Sequence, residues 1–100
     1  MCIRDSIDNA HLFGCDLVTG FAGRVVDKPI DESMERYAKI FGPLAKRAAD
    51  KGVRLAFENC DMGGDWWRGN WNCAQNPSAW ELMFDAIPSE NCLLYTSRCV

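Results

Sequence analysis

One hundred residues make one domain at most, with an ordinary soluble composition of 48% hydrophobic and 25% charged side chains and no apolar run near the length of a membrane span. The formal net charge is −3 and there is no block of Lys or Arg, which argues against a nucleic-acid partner, because such proteins carry a basic patch or stripe. Six cysteines in so short a chain would suggest a disulfide framework, but three of them fall in terminal stretches of foreign character.

In chain order, Met1 to Ser6 reads as the translation of a transposon-end sequencing adaptor, so residues 1–6 are expected to be an artefact and carry no weight for the fold. Ile7 to Phe13 reads as the end of a helix stopped by Gly14. Asp16 to Phe21 follows as a short strand, and Ala22 to Asp31 as a loop containing Gly23 and Pro29. Asp31 or Ser33 is placed to cap the next helix, with Glu32 and Glu35 where the helix dipole favours negative charge. Met34, Tyr37, Phe41, Leu44 and Ala48 then recur at three- and four-residue steps as one apolar face. Pro43 inside that pattern predicts a kink or a split, and Gly52 marks the end.

Val53 to Glu58 alternates at period two, with Val53, Leu55 and Phe57 on one face and Arg54, Ala56 and Glu58 on the other. Strand, long helix, strand is a βαβ unit, whose strands should be parallel. Asn59 to Asn76 is a long loop rich in Gly, Asn and Trp. Pro77 opens a last helix through Ala86, with Trp80, Met83, Phe84 and Ile87 as its apolar side, and Pro88 follows it. A further strand is due near Asn91. There, however, Cys92 to Ser97 reads as the reverse complement of the same adaptor and Arg98 to Val100 as a second copy. Residues 92–100 are therefore expected to be artefact as well, leaving residues 7–91 as the domain.

Setting aside Arg4, Asp5 and Arg98, which together carry one positive charge, leaves an interior of −4. Setting aside Cys2, Cys92 and Cys99 leaves Cys15, Cys60 and Cys73, an odd and irregular set that favours reduced thiols in a cytoplasmic protein. Cys60 and Cys73 are too isolated for a zinc site, which takes four ligands or three plus water.

Glu58 is the foremost candidate for chemistry. It ends a buried strand on the face opposite the bulky apolar one, and a carboxylate there can bind a divalent metal or move a proton. A structural Glu paired with an Arg is the equal alternative on spacing alone. The loop after it is long for a strand-to-helix connection. Trp66, Trp67 and Trp71 would be costly to leave exposed in a merely flexible linker; they could form a wall for a ligand, or one or two of them could simply cover the top of the fold, while Asn70, Asn72 or Arg68 could bond hydroxyls or a phosphate. Gly63 and Gly64 offer a hinge for a lid. Asn59 could bond substrate or hold its own loop through an Asx turn. Arg24, just after the first strand, could meet an anionic substrate group or be a solvated loop residue. Asp61 and Asp65 are expected to be solvated, and His11 to be structural.

The run from Gly52 to Asn59, GVRLAFEN, resembles the GV-x-L-x-x-EN signature of the sugar isomerase/epimerase (xylose isomerase-like TIM barrel) superfamily. The similarity also takes in Thr19 to Gly23, the helix from Tyr37 and Ala38 to Phe41 and Ala45, and Pro77 to Trp80, in the family's order and spacing. It implies an α/β fold: part of a (β/α)₈ barrel, about three β/α steps with parallel strands. A complete barrel needs about 250 residues, and so small a piece, with open strand edges, is not expected to fold stably alone. The resemblance further implies a sugar or sugar-phosphate isomerase or epimerase acting by proton abstraction next to a carbonyl. Glu58 would be its metal ligand and acid/base group, with Mn, Mg, Co or Zn as the divalent metal. The family usually completes the site with an Asp, a His and a second Glu on later strands, which this chain does not contain, so the chain by itself is expected to be inactive. The expected partner is a small-molecule sugar or sugar phosphate, with no nucleic acid and no membrane. Metal-dependent endonucleases acting at abasic DNA share the barrel and form the alternative, along with a non-catalytic sugar-binding barrel. The interior charge speaks against the endonuclease, which needs basic surface for phosphates.

Overall fold

The computed structural model describes residues 3–95. Helix α1 (Ile3–Asn9) runs into a 3₁₀ turn (Ala10–Phe13), followed by β1 (Leu17–Gly20), a second 3₁₀ turn (Ile30–Ser33), α2 (Met34–Asp50), β2 (Arg54–Glu58), α3 (Pro77–Ala86) and β3 (Cys92–Tyr95). The strands form one sheet in the order β1-β2-β3, and both pairings are parallel. The chain is therefore α/β, with three parallel strands separated by helices, as in a segment of a TIM barrel. The stretch at residues 1–6 contributes Ile3 to Ser6 to α1, and residues 92–95 form the third strand where one was due.

Sequence and local geometry agree at the punctuation points. Gly14 stops the first 3₁₀ turn at φ 68°, where its N–H reaches the carbonyls of Ala10 and His11. Gly52 (φ 70°) closes α2, its N–H on Ala49 and that of Val53 on Ala48. Asn76 caps α3, its Oδ1 accepting from Ala79 N–H at 3.0 Å, with Pro77 opening the helix where no N–H is needed.

Of the kink or split expected at Pro43, the split does not occur: α2 runs unbroken for 17 residues with Pro43 on its exposed side. Proline removes one hydrogen bond, and on the solvent face water can satisfy the carbonyl so released. Ser33 stands at the cap position but makes no capping bond. Its Oγ instead accepts from Val25 N–H at 3.1 Å, fastening the loop after β1.

The core lies between the sheet and its helices. Val53, Leu55 and Phe57 are buried against Tyr37, Phe41, Ala45 and Ala48 of α2 and Ala79 and Met83 of α3. Phe57 meets Tyr37 and Phe41 edge-on, at centroid distances of 5.6 and 5.0 Å, the favoured geometry for aromatic quadrupoles. Burial also raises the Tyr37 hydroxyl above its usual pKa. Trp80 and Met83 bury as expected from α3, while Phe84 stays partly exposed and stacks on Trp80 at 5.6 Å.

Candidate active site at the end of the second strand

Alternation along each strand sorts the side chains by face. Register pairs Leu17 with Arg54 and Thr19 with Ala56, so these residues share the face of Glu58, opposite the helices. In a closed barrel that face is the interior, and the C-terminal strand ends form the mouth where barrel sites lie. Leu17, Thr19 and Arg54 are exposed here, and Glu58 is half-buried. Glu58 thus stands at the mouth end of the central strand, as its position in the sequence suggested.

The loop after Glu58 is knitted to the loop after β1. Main-chain bonds join Cys73 N–H to Gly23 O, Ile30 N–H to Trp66 O and Asp27 N–H to Gly69 O, each at 2.9 Å. The loop also closes on itself through Cys60 N–H to Ala74 O, again at 2.9 Å. Its turns are made by carboxylates: Asp61 Oδ1 accepts from Gly63 N–H, and Asp65 Oδ1 from Trp67 and Arg68 N–H. Asp61 and Asp65 are solvent-exposed, as expected, and each also closes a turn. The N–H groups of Arg68 and Trp67 hold the Asp65 carboxyl below its usual pKa. Gly63 (φ 81°) is required by the first of these turns, and a Cβ on Gly64 would come within 3.1 Å of the Arg68 carbonyl. Gly63 thus serves a turn and Gly64 a close approach.

Two polar side chains anchor this arrangement from beneath. Asn72 is fully buried; its Oδ1 accepts from Ala22 and Ala74 N–H, and its Nδ2 is shared among the carbonyls of Glu58, Cys60 and Ala74 at 2.9–3.2 Å. Asn72 therefore belongs to the frame, not to a hydroxyl-binding surface. Arg24, only 8% exposed, donates from Nε and Nη2 to Lys28 O, from Nη1 to Asp65 O and from Nη2 to Trp66 O. The expected contact of Arg24 with an anionic substrate group is corrected: its guanidinium is turned into the loop and engaged by three carbonyl oxygens. No periodicity in the sequence distinguishes either role, since the partners are backbone atoms.

The remaining candidates separate cleanly. Trp67 and Trp71 are 67% and 65% exposed, whereas Trp66 is partly buried and packs against the core. Asn59 Oδ1 accepts from the indole N–H of Trp80 at 2.9 Å, tying the start of the loop to α3. Arg68 is exposed and lies 3.9 Å from Asp27, and His11 is exposed on the first 3₁₀ turn. Cys15, Cys73 and Cys92 are free thiols, and burial raises that of Cys73 to a pKa of about 11.

Among the described residues no three His, Cys, Asp or Glu side chains gather as a metal cluster. Also among them, no helix is long and apolar enough to cross a membrane. A cavity of about 560 Å³ opens along the outer edge of β1, lined by Leu12, Phe13, Leu17 and Val18 among others; none of its lining belongs to β2 or its loop.

No curated protein and no solved structure matches the chain. Residues 2–96 match the family model of the xylose isomerase-like TIM barrel, a family that includes sugar isomerases and epimerases as well as abasic-site endonucleases, and the chain belongs to that family.

Proposed function

We propose that this chain is part of a divalent-metal-dependent sugar or sugar-phosphate isomerase or epimerase, and that Glu58 is its metal ligand and acid/base group. The observation that carries the reading is the Glu58 carboxylate at the mouth end of the central strand, followed by a fastened loop that exposes two indoles.

A carboxylate oxygen is a hard donor suited to Mn²⁺, Mg²⁺, Co²⁺ or, with a His, Zn²⁺. Glu58, together with donors from the rest of the barrel, would hold such an ion, which would supply stabilisation for negative charge on substrate oxygens. Glu58 itself can take the proton from the carbon next to the carbonyl and return it to the neighbouring carbon, whereas inversion at the same carbon needs a second acid, supplied by the rest of the barrel, on the opposite face. The half-buried position limits its hydration, and the Asn72 bond to the Glu58 carbonyl fixes the backbone from which the carboxylate projects. Trp67 and Trp71 present flat apolar surface to the C–H face of a sugar ring. Trp66 and Asn59, held against the core and α3, shape the base of that wall.

The test is proton exchange by the complete barrel protein with Mn²⁺ in D₂O, followed by NMR on ketopentoses, ketohexoses and their phosphates. Exchange at the carbon next to the carbonyl is expected, and Glu58→Gln should lower it roughly 10²–10⁴-fold, the usual worth of a positioned acid/base group. Exchange by E58Q within tenfold of the parent would remove Glu58 from the chemistry. Sugar binding without any exchange would make the barrel a binding protein. The endonuclease reading lacks support in the chain's acidic balance.

A further inference from the structure

We propose that Arg24 is a positioning residue for the substrate wall: a buried cation on which the turn carrying Trp67 and Trp71 is seated. This deepens the preceding reading and rests on the two indoles being that wall. The guanidinium grips the carbonyls of Asp65 and Trp66, immediately before Trp67. It also lies against Gly69, midway between Trp67 and Trp71, so closely that a Cβ there would be 2.6 Å from Nη1. The Gly69 carbonyl is held by Asp27 N–H, in the same loop as Arg24. Gly69 is thus glycine because Arg24 occupies the space of a side chain.

Every hydrogen-bond acceptor of Arg24 in the structure is a main-chain carbonyl. Charge-assisted bonds to neutral carbonyls in a buried place are stronger than neutral ones, and the planar fork of arginine fixes directions that a lysine ammonium does not. One side chain thereby sets the orientation of the stretch from Asp65 to Trp71, whose indoles Trp67 and Trp71 are exposed to solvent. Such an arrangement presents the indoles preformed, which lowers the entropic cost of binding a ring against them.

The experiment compares the complete protein with Arg24→Lys, Gly69→Ala, the double variant Trp67→Ala/Trp71→Ala, and that pair combined with Arg24→Lys. The probe is D-fructose with Mn²⁺ in D₂O, with KM and kcat for proton exchange as readouts. R24K and G69A are each expected to raise KM at least fivefold with kcat within twofold. R24K added to the Trp pair should raise KM no further, as for groups that act through one another. A KM raised by the Trp pair but not by R24K and G69A overturns the role of Arg24 and leaves the wall standing. A KM untouched by the Trp pair overturns the wall and, with it, the role given to Arg24. A fall in kcat at constant KM in R24K also overturns the positioning role. Amide exchange of Asp27, Ile30 and Cys73 decides the matter if fructose is not turned over: unchanged protection in R24K and G69A refutes the seat, and lost protection confined to these amides supports it.

Discussion

The two sides of the sheet are held by different physics. Toward α2 and α3, Phe57, Leu55 and Val53 are buried in one hydrophobic cluster with Tyr37, Phe41 and Met83. At the mouth, the loops after β1 and β2 are held by main-chain bonds and by Arg24 and Asn72, two buried polar groups. Apolar burial is non-directional and tolerates small adjustments, whereas hydrogen bonds fix angles and carry a penalty when one partner is lost. The helix side therefore supplies stability and the loop side supplies geometry. Phe57 and Glu58, adjacent in sequence and on opposite faces, mark the boundary.

That contrast can be broken most forcefully at Phe57. Truncation by Phe57→Ala should cost about 3–5 kcal/mol of stability, the range for a buried aromatic, while kcat per folded molecule stays within a few-fold. Urea unfolding of the complete protein, with kinetics at a permissive temperature, would check both halves; a large kcat loss would mean that the two faces are not separable. Next comes Asn72→Leu, which keeps similar volume but leaves the Glu58, Cys60 and Ala22 backbone groups without their partner. About 2–3 kcal/mol is expected, the scale of buried groups left unsatisfied, together with faster amide exchange at Ala22 and Ala74. Unaltered exchange at both amides would show that the frame does not depend on Asn72.

Smaller still should be Trp67→Ala and Trp71→Ala taken singly. Because both indoles are mostly exposed, stability should move by no more than about 0.5 kcal/mol, and the effect should appear in KM. A clear drop in unfolding midpoint would instead make these residues part of the core. The finest test is pH. The Asp65 carboxyl titrates below its unfolded value because it accepts two N–H groups. Its contribution to stability is therefore complete above the unfolded pKa of about 3.9 and is lost as pH falls through the lower folded value. Asp65→Asn should flatten that acid limb of the urea midpoint and leave neutral pH nearly unaffected; an unchanged limb would assign the acid sensitivity elsewhere.

Much of the fold was legible before any coordinates. The period-two pattern from Val53 to Glu58 set which side chains face the helices, because alternation is a local property of the strand. Gly14, Gly52 and Pro77 punctuated the elements through their own backbone preferences. Pro43 does not divide α2, since the effect of a proline depends on whether the carbonyl it releases faces solvent.

The site divides in the same way. Glu58 could be placed from the sequence, because a strand's direction and alternation put its last inward residue at one end of the sheet. Arg24 and Asn72 could not, because a charged or amide side chain in a loop reads as solvated until its partners are known. Those partners are main-chain atoms up to 41 and 42 residues away for Arg24 and 50 for Asn72. A backbone carbonyl carries no residue identity, so its pairing leaves no trace in the pattern of side chains. The sequence by itself determined the order of elements, the two faces of β2 and the place of Glu58. Only the tertiary structure decided which polar residues hold the loops in shape and which indoles stay exposed.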